Sequence, residues 1–149
     1  MRARVTAQLL AEMRELSTAF DRLSHAVAEK LGLSTTDLMA MDLISRDGGV
    51  TAGQIANHLN LTSGAITGLI DRLERAGYAK RAADARDRRR ASVVRTAKGD
   101  RVGDLFAPLA VALRQATAAY SEAELTMLID FIKRTKEAVG DTAEAIHDS

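Results

Sequence analysis

Val5, Leu9, Met13, Leu16, Phe20, Leu23, Val27 and Leu31 follow one another at spacings of 4, 4, 3, 4, 3, 4 and 4 residues. That rhythm draws a single apolar stripe along one helix, and Gly32 follows as a stop signal. About 27 helical residues at ~1.5 Å each reach roughly 40 Å, more than the core of one small domain needs. A stripe of that length packs on a partner chain as well as on its own. The 149 residues are enough for one domain or two small intertwined ones.

The rest of the chain divides at its turn signals. Ser34 or Thr35 caps a second helix from about residue 36 to 46, with Leu38, Met41 and Ile44 on one face. Asp47-Gly48-Gly49 breaks the chain. Thr51, with Gln54 three residues on, forms a capping box for a third helix carrying Ile55 and Leu59. Asn60-Leu61 makes a turn, and Thr62 or Ser63 caps a fourth helix whose inner side is Ile66, Leu69, Ile70 and Leu73. Gly77 ends it. Tyr78–Arg81 and Ala91–Arg95 read as the strands of a hairpin around a long loop. Thr96 caps another helix, Pro108 predicts a kink or break, and Ser121 with Glu124 opens a last amphipathic helix carrying Leu125, Leu128, Ile129 and Ile132. The polar tail from Gly140 is expected to fray.

Charge is segregated. The net charge is only +1, yet residues 72–95 hold nine basic and three acidic groups, a net +6. Residues 1–71 carry −2 and residues 96–149 carry −3. The peak is Asp84-Ala85-Arg86-Asp87-Arg88-Arg89-Arg90, four arginines and two aspartates in seven residues. A near-neutral chain with its positive charge in one segment fits a polyanion contact. A solvated charged loop is the plainer alternative.

Composition removes several classes. There is no cysteine, so thiolate metal sites, disulfides and cysteine nucleophiles are out. No apolar run approaches a membrane span and no signal-peptide core follows Met1, so a cytoplasmic location without membrane partners is expected. Aromatics are 3%, which argues against stacking platforms for single strands. No nucleophile, paired-carboxylate cleft or metal cluster supports an enzyme. Asp21, His25 and Glu29 share a helix face, a spacing that any solvated helix face also produces. No metal or cofactor is expected. Met39 and Leu43 point away from the Leu38, Met41 and Ile44 face, and with Phe20 they are candidates to line a ligand pocket; ordinary dimer core is the alternative.

Two short helices joined by a tight turn form a helix-turn-helix, whose second helix enters the major groove. Its outward residues should be small or polar. Ser63, Gly64, Ala65, Thr67, Gly68, Asp71 and Arg72 fit that. The arginine loop behind it suits a neighbouring narrow minor groove.

The ordered set Thr51-x-x-x-Ile55-Ala56-x-x-Leu59-x-Leu61, Gly64-Ala65-Ile66-Thr67-x-x-Ile70-Asp71-x-Leu73-Glu74-x-x-Gly77-Tyr78, Arg81, Asp84-x-Arg86-Asp87-Arg88-Arg89 and Thr96-x-x-Gly99 resembles the MarR-type winged helix-turn-helix regulators. The resemblance covers residues 34–100. It implies a mainly α fold with a small β-hairpin, a winged helix-turn-helix lobe at 34–100 and long N- and C-terminal dimerisation helices at 1–33 and 101–149. It further implies a homodimeric transcriptional regulator on a near-palindromic double-stranded DNA operator, a repressor released by a small, often aromatic, effector. Carried over residue by residue, Arg89 is the wing-tip arginine for the minor groove. Asp84 and Asp87 organise the wing arginines, and Arg86, Arg88 and Arg90 approach DNA with them. Ser63, Gly64, Ala65, Thr67, Gly68 and Arg72 form the groove-facing side of the recognition helix. Family members often carry a basic residue where this chain has Gly68 and another near Ser63, and an apolar one at Arg95. A helical protein–protein module using the arginine loop on an acidic partner is the alternative function.

Overall fold

A computed structural model describes residues 1–47, 49–83 and 91–147. The chain forms two compact units, Met1–Leu105 and Phe106–Ser149.

In the first unit, α1 (Arg2–Leu31) is one uninterrupted helix, and Gly32 ends it at φ 68°, donating its N–H to the carbonyls of Ala28 and Glu29. That is the left-handed C-terminal cap that glycine adopts without a Cβ penalty. Of the apolar stripe, only the C-terminal end is covered: Val27 and its neighbour Ala28 are buried, while Val5, Leu9, Leu16 and Phe20 are exposed. The covered end packs on α2 (Thr35–Asp47).

Helices α3 (Ala52–His58) and α4 (Ser63–Arg75) follow. The expected capping box holds. Thr51 Oγ1 accepts the Gln54 N–H at 3.2 Å, and Gln54 Oε1 accepts the Thr51 N–H at 2.9 Å. Thr62 caps α4 through the Ala65 N–H at 3.3 Å. Between them Asn60 takes φ 51°, a left-handed conformation that asparagine tolerates better than most residues. This lets α4 set off in a new direction within a few residues. Ile66, Leu69, Ile70 and Leu73 of α4 join Met41, Ile44, Ile55 and Val93 in the core.

The hairpin is β2 (Ala79–Ala83) and β3 (Ala91–Arg95), slightly longer at its first strand than the sequence suggests. A further strand, β1 (Val50–Thr51), pairs with β3 in the register Val50 to Val93 and Thr51 to Ser92, making an antiparallel sheet of order β1-β3-β2. The Gly49–Thr51 stretch is therefore more than a break between helices. Gly99, in the short helix α5 (Ala97–Asp100), lies so close to Tyr78 that a Cβ there would collide with the Tyr78 carbonyl oxygen.

A 3-10 turn, Arg101–Phe106, leads to the second unit. There α6 (Ala107–Thr117) begins with Pro108 in its first turn, where a missing N–H costs nothing, so the expected break falls at that proline. Helix α7 (Glu122–His147) opens with the expected capping box, Ser121 Oγ accepting the Glu124 N–H at 3.3 Å. It does not stop at Gly140. One glycine costs a helix about 1 kcal/mol, and the helix runs through it to His147. Leu125 and Leu128 are half-buried, whereas Ile129, Ile132 and Val139 are exposed.

Candidate nucleic-acid interface

Helix α4 has two faces of opposite character. Its aliphatic face is sealed in the core, and Ser63, Gly64, Ala65 and Thr67 are exposed, with Gly68 at the edge. No side chain stands out from this strip by more than a threonine. The Thr67 hydroxyl donates to the Ser63 carbonyl at 2.9 Å, so its proton is taken up within the helix.

Asp71, Arg72 and Glu74 of α4 are tied into the surrounding fold. Arg72 makes a two-point ion pair with Asp37 of α2: Nη2 donates to Oδ1 at 2.8 Å and Nε to Oδ2 at 3.3 Å. Asp37 is only 2% exposed. Its carboxylate also accepts the Ser34 N–H at 3.1 Å, while the Asp37 N–H donates to Ser34 Oγ at 3.1 Å. This is a capping box with aspartate in the third position, and it fixes Ser34 as the N-cap of α2. Burial opposes ionisation of Asp37. The hydrogen bonds from Arg72 and from Ser34, with the charge of Arg72, outweigh it and hold the carboxyl below its ordinary value.

Arg81 of β2 fastens the sheet to the same helix. Its Nη2 donates to Asp71 Oδ1 at 2.8 Å, its backbone N–H to Glu74 Oε1 at 2.7 Å, and its Nη1 pairs with Glu74 Oε2. The end of α4 is held as well. Gly77 turns at φ 77°, Lys98 Nζ donates to the Ala76 carbonyl at 2.8 Å, and Thr96 Oγ1 donates to the Gly77 carbonyl at 2.7 Å. Lys98 also lies 4.2 Å over the Tyr78 ring, and the Tyr78 hydroxyl donates to Leu31 O at 3.2 Å, joining the end of α1 to the start of β2.

The structure thus brings Ser63, Gly64, Ala65, Thr67 and Gly68 onto one open face, with Arg72 beside it but committed in part to Asp37. Asp84, Arg86, Asp87, Arg88, Arg89 and Arg90 lie outside the described residues. The strands that would carry that loop are in place, with Ala83 opposite Ala91. Sequence reasoning missed the roles of Asp37 and Arg81. Asp37 is 35 residues from its partner, and its only local signal was Ser34 three positions before it. Arg95 does not stand as an added free charge beside the hairpin; its Nε pairs with Asp100 Oδ1 at 3.1 Å.

Two further expectations need correction or placing. Leu43 does not face away from the core; it is 7% exposed and belongs to it, because α2 is covered by α1 and by the sheet. Met39 and Phe20 are exposed, at 58% and 44%. Among the described residues, no three His, Asp or Glu side chains come together as a metal set. No helix among them is long and apolar enough to cross a membrane.

A helix-turn-helix whose second helix is bare on its outer face, backed by a three-stranded sheet with an extended hairpin, defines a winged helix-turn-helix regulator that binds DNA. The chain belongs to the MarR family: residues 31–90 match the MarR family model. It is 35% identical to the uncharacterized HTH-type transcriptional regulator YcgE of Bacillus subtilis (strain 168), over 89% of this chain and 87% of that protein. It is 31% identical to the HTH-type transcriptional regulator MhqR of the same organism, over 80% of each chain. Solved structures share the fold. A MarR family protein from Bacillus stearothermophilus aligns with a TM-score of 0.70 at 18% identity, covering 94% of this chain and 99% of that one. A MepR variant of S. aureus, solved bound to an oligodeoxyribonucleotide, aligns with a TM-score of 0.58 at 21% identity, covering 88% and 97%. Family and relatives are transcriptional regulators, not enzymes.

Proposed function

We propose that this regulator is a homodimeric, sequence-specific repressor of a near-palindromic double-stranded DNA operator, released by a small-molecule effector. The observation that carries the DNA-reading part is the outer face of α4. Ser63, Gly64, Ala65, Thr67 and Gly68 let its backbone approach base edges closely, and Arg72 stands at the far end of that face. Arg86, Arg88, Arg89 and Arg90 serve the flanking minor groove and its phosphates, with Asp84 and Asp87 organising them. The dimer is supported by the apolar residues that α1 leaves exposed and, separately, by those that α7 leaves exposed; residues 1–33 and 101–149 are its proposed contact segments. Two recognition helices must then sit about 34 Å apart to meet successive major grooves. An effector held near Phe20 and Met39 acts by favouring a dimer with another spacing.

The deciding experiment is a mobility-shift titration at low salt against the DNA upstream of the gene and against an unrelated fragment of equal length. Retardation of the upstream fragment at lower protein concentration is expected, reversed by a subset of small aromatic compounds. Equal retardation of both fragments refutes sequence-specific reading, and no retardation refutes DNA binding by this surface.

A further inference from the structure

We propose that Asp37 is a positioning residue for DNA binding: it orients Arg72 so that the Nη1 end of the guanidinium meets a backbone phosphate beside Gly68. The proposal rests on the DNA-binding reading above and assigns that surface a part it did not include.

Among the described residues the guanidinium bonds only Asp37, through Nε and Nη2. This occupies the side edge of the fork and leaves the Nη1 end. That end lies along the outer face of α4, because a Cβ placed on Gly68 would be 3.7 Å from Nη1. The Arg72 side chain is 49% exposed while that of Asp37 is 3% exposed, so the carboxylate sits behind the arginine and the remaining donors face outward. Asp37 is itself fixed by both arms of the Ser34 capping box. An arginine held at two points on a fixed carboxylate has little rotamer freedom left to lose on meeting an anion.

Phosphate rather than a base follows from the position along the helix. Recognition helices meet base edges with their N-terminal residues. Arg72 is in the last turn of α4, nine residues after Ser63, where the helix leaves the groove floor. Phosphate contacts of this kind set register and orientation rather than sequence preference.

The test is a double-mutant cycle read in mobility shifts at several salt concentrations, on the fragment that the wild-type protein retards. Arg72→Ala should weaken binding about tenfold, equally on specific and unrelated DNA, and lower the slope of log affinity against log salt by about 0.9. Asp37→Asn should weaken binding severalfold. The double variant should bind no worse than Arg72→Ala, since Asp37 acts through Arg72. Additive losses would mean that Asp37 supports the fold alone. Tighter binding by Asp37→Asn would mean that it withholds Arg72, and an unchanged slope in Arg72→Ala would remove the phosphate contact. In each of these cases the inference fails while the retarded wild-type complex leaves the DNA reading standing. No complex with wild type brings down both. Thermal melts accompany each variant. Should Asp37→Asn not fold, Asp37→Glu, which keeps the charge but displaces it, takes its place in the cycle, and the same outcomes decide.

Discussion

Two residues set the tolerances of the DNA-binding lobe. Gly99 is a matter of space rather than dihedral freedom, since the Tyr78 carbonyl occupies the volume where a Cβ would be and Met41 Cε lies 3.0 Å away. Gly99→Ala should therefore destabilise the protein by about 1–3 kcal/mol, as overpacking does in a filled core; a thermal melt matching wild type would refute the close approach. Asp37 is a matter of charge. Its folded carboxyl titrates below its ordinary value of 3.8. The stabilisation from its ionised form is then complete above about pH 4 and is lost as pH falls from there through the lower folded value. Acid unfolding should thus be steeper for wild type than for Asp37→Asn in that window. Parallel curves would show that the carboxylate contributes nothing to stability. Neither residue announces this in the sequence: Gly99 reads as a piece of a family pattern and Asp37 as an ordinary first-turn acid.

The elements were legible where a signal is local. The capping pairs Thr51 with Gln54 and Ser121 with Glu124 each mark a helix start within four residues, and both are present in the fold. The 3.6-residue rhythm likewise gave the helix type of α1 and α4, and the inner face of α4. Strand β1 was not legible. It has two residues, and what makes it a strand is pairing with Val93 and Ser92 some forty positions away. The Arg72–Asp37 and Arg81–Asp71 pairs escaped for the same reason: charge spacing along a chain does not reveal which elements will be neighbours. The stripe on α1 carries its own test. Phe20 is exposed in the protomer, so Phe20→Glu should leave helix content nearly unchanged while shifting sedimentation at micromolar concentration from dimer toward monomer. A monomeric wild type would remove the dimer, and a dimeric Phe20→Glu would move its interface elsewhere.

At the scale of the molecule, charge separation matters more than net charge. A protein of net +1 that concentrates basic groups in residues 72–95 should lose DNA affinity steeply with salt, by roughly 0.9 in log affinity per tenfold salt for each phosphate neutralised. Titrations between low and moderate salt check this, and a flat profile would exclude phosphate contacts. The slope should fall short of what nine basic groups per chain could give, because Arg81 and Arg95 have acidic partners within the fold. The uncovered length of α1 has one further consequence for the cell that makes this protein. If operator binding requires the proposed pair of chains, then below the dimer's dissociation constant occupancy grows with the square of protomer concentration. Halving expression would cut occupancy roughly fourfold, so the apolar side of one helix would set how sharply the regulated genes respond to gene dosage.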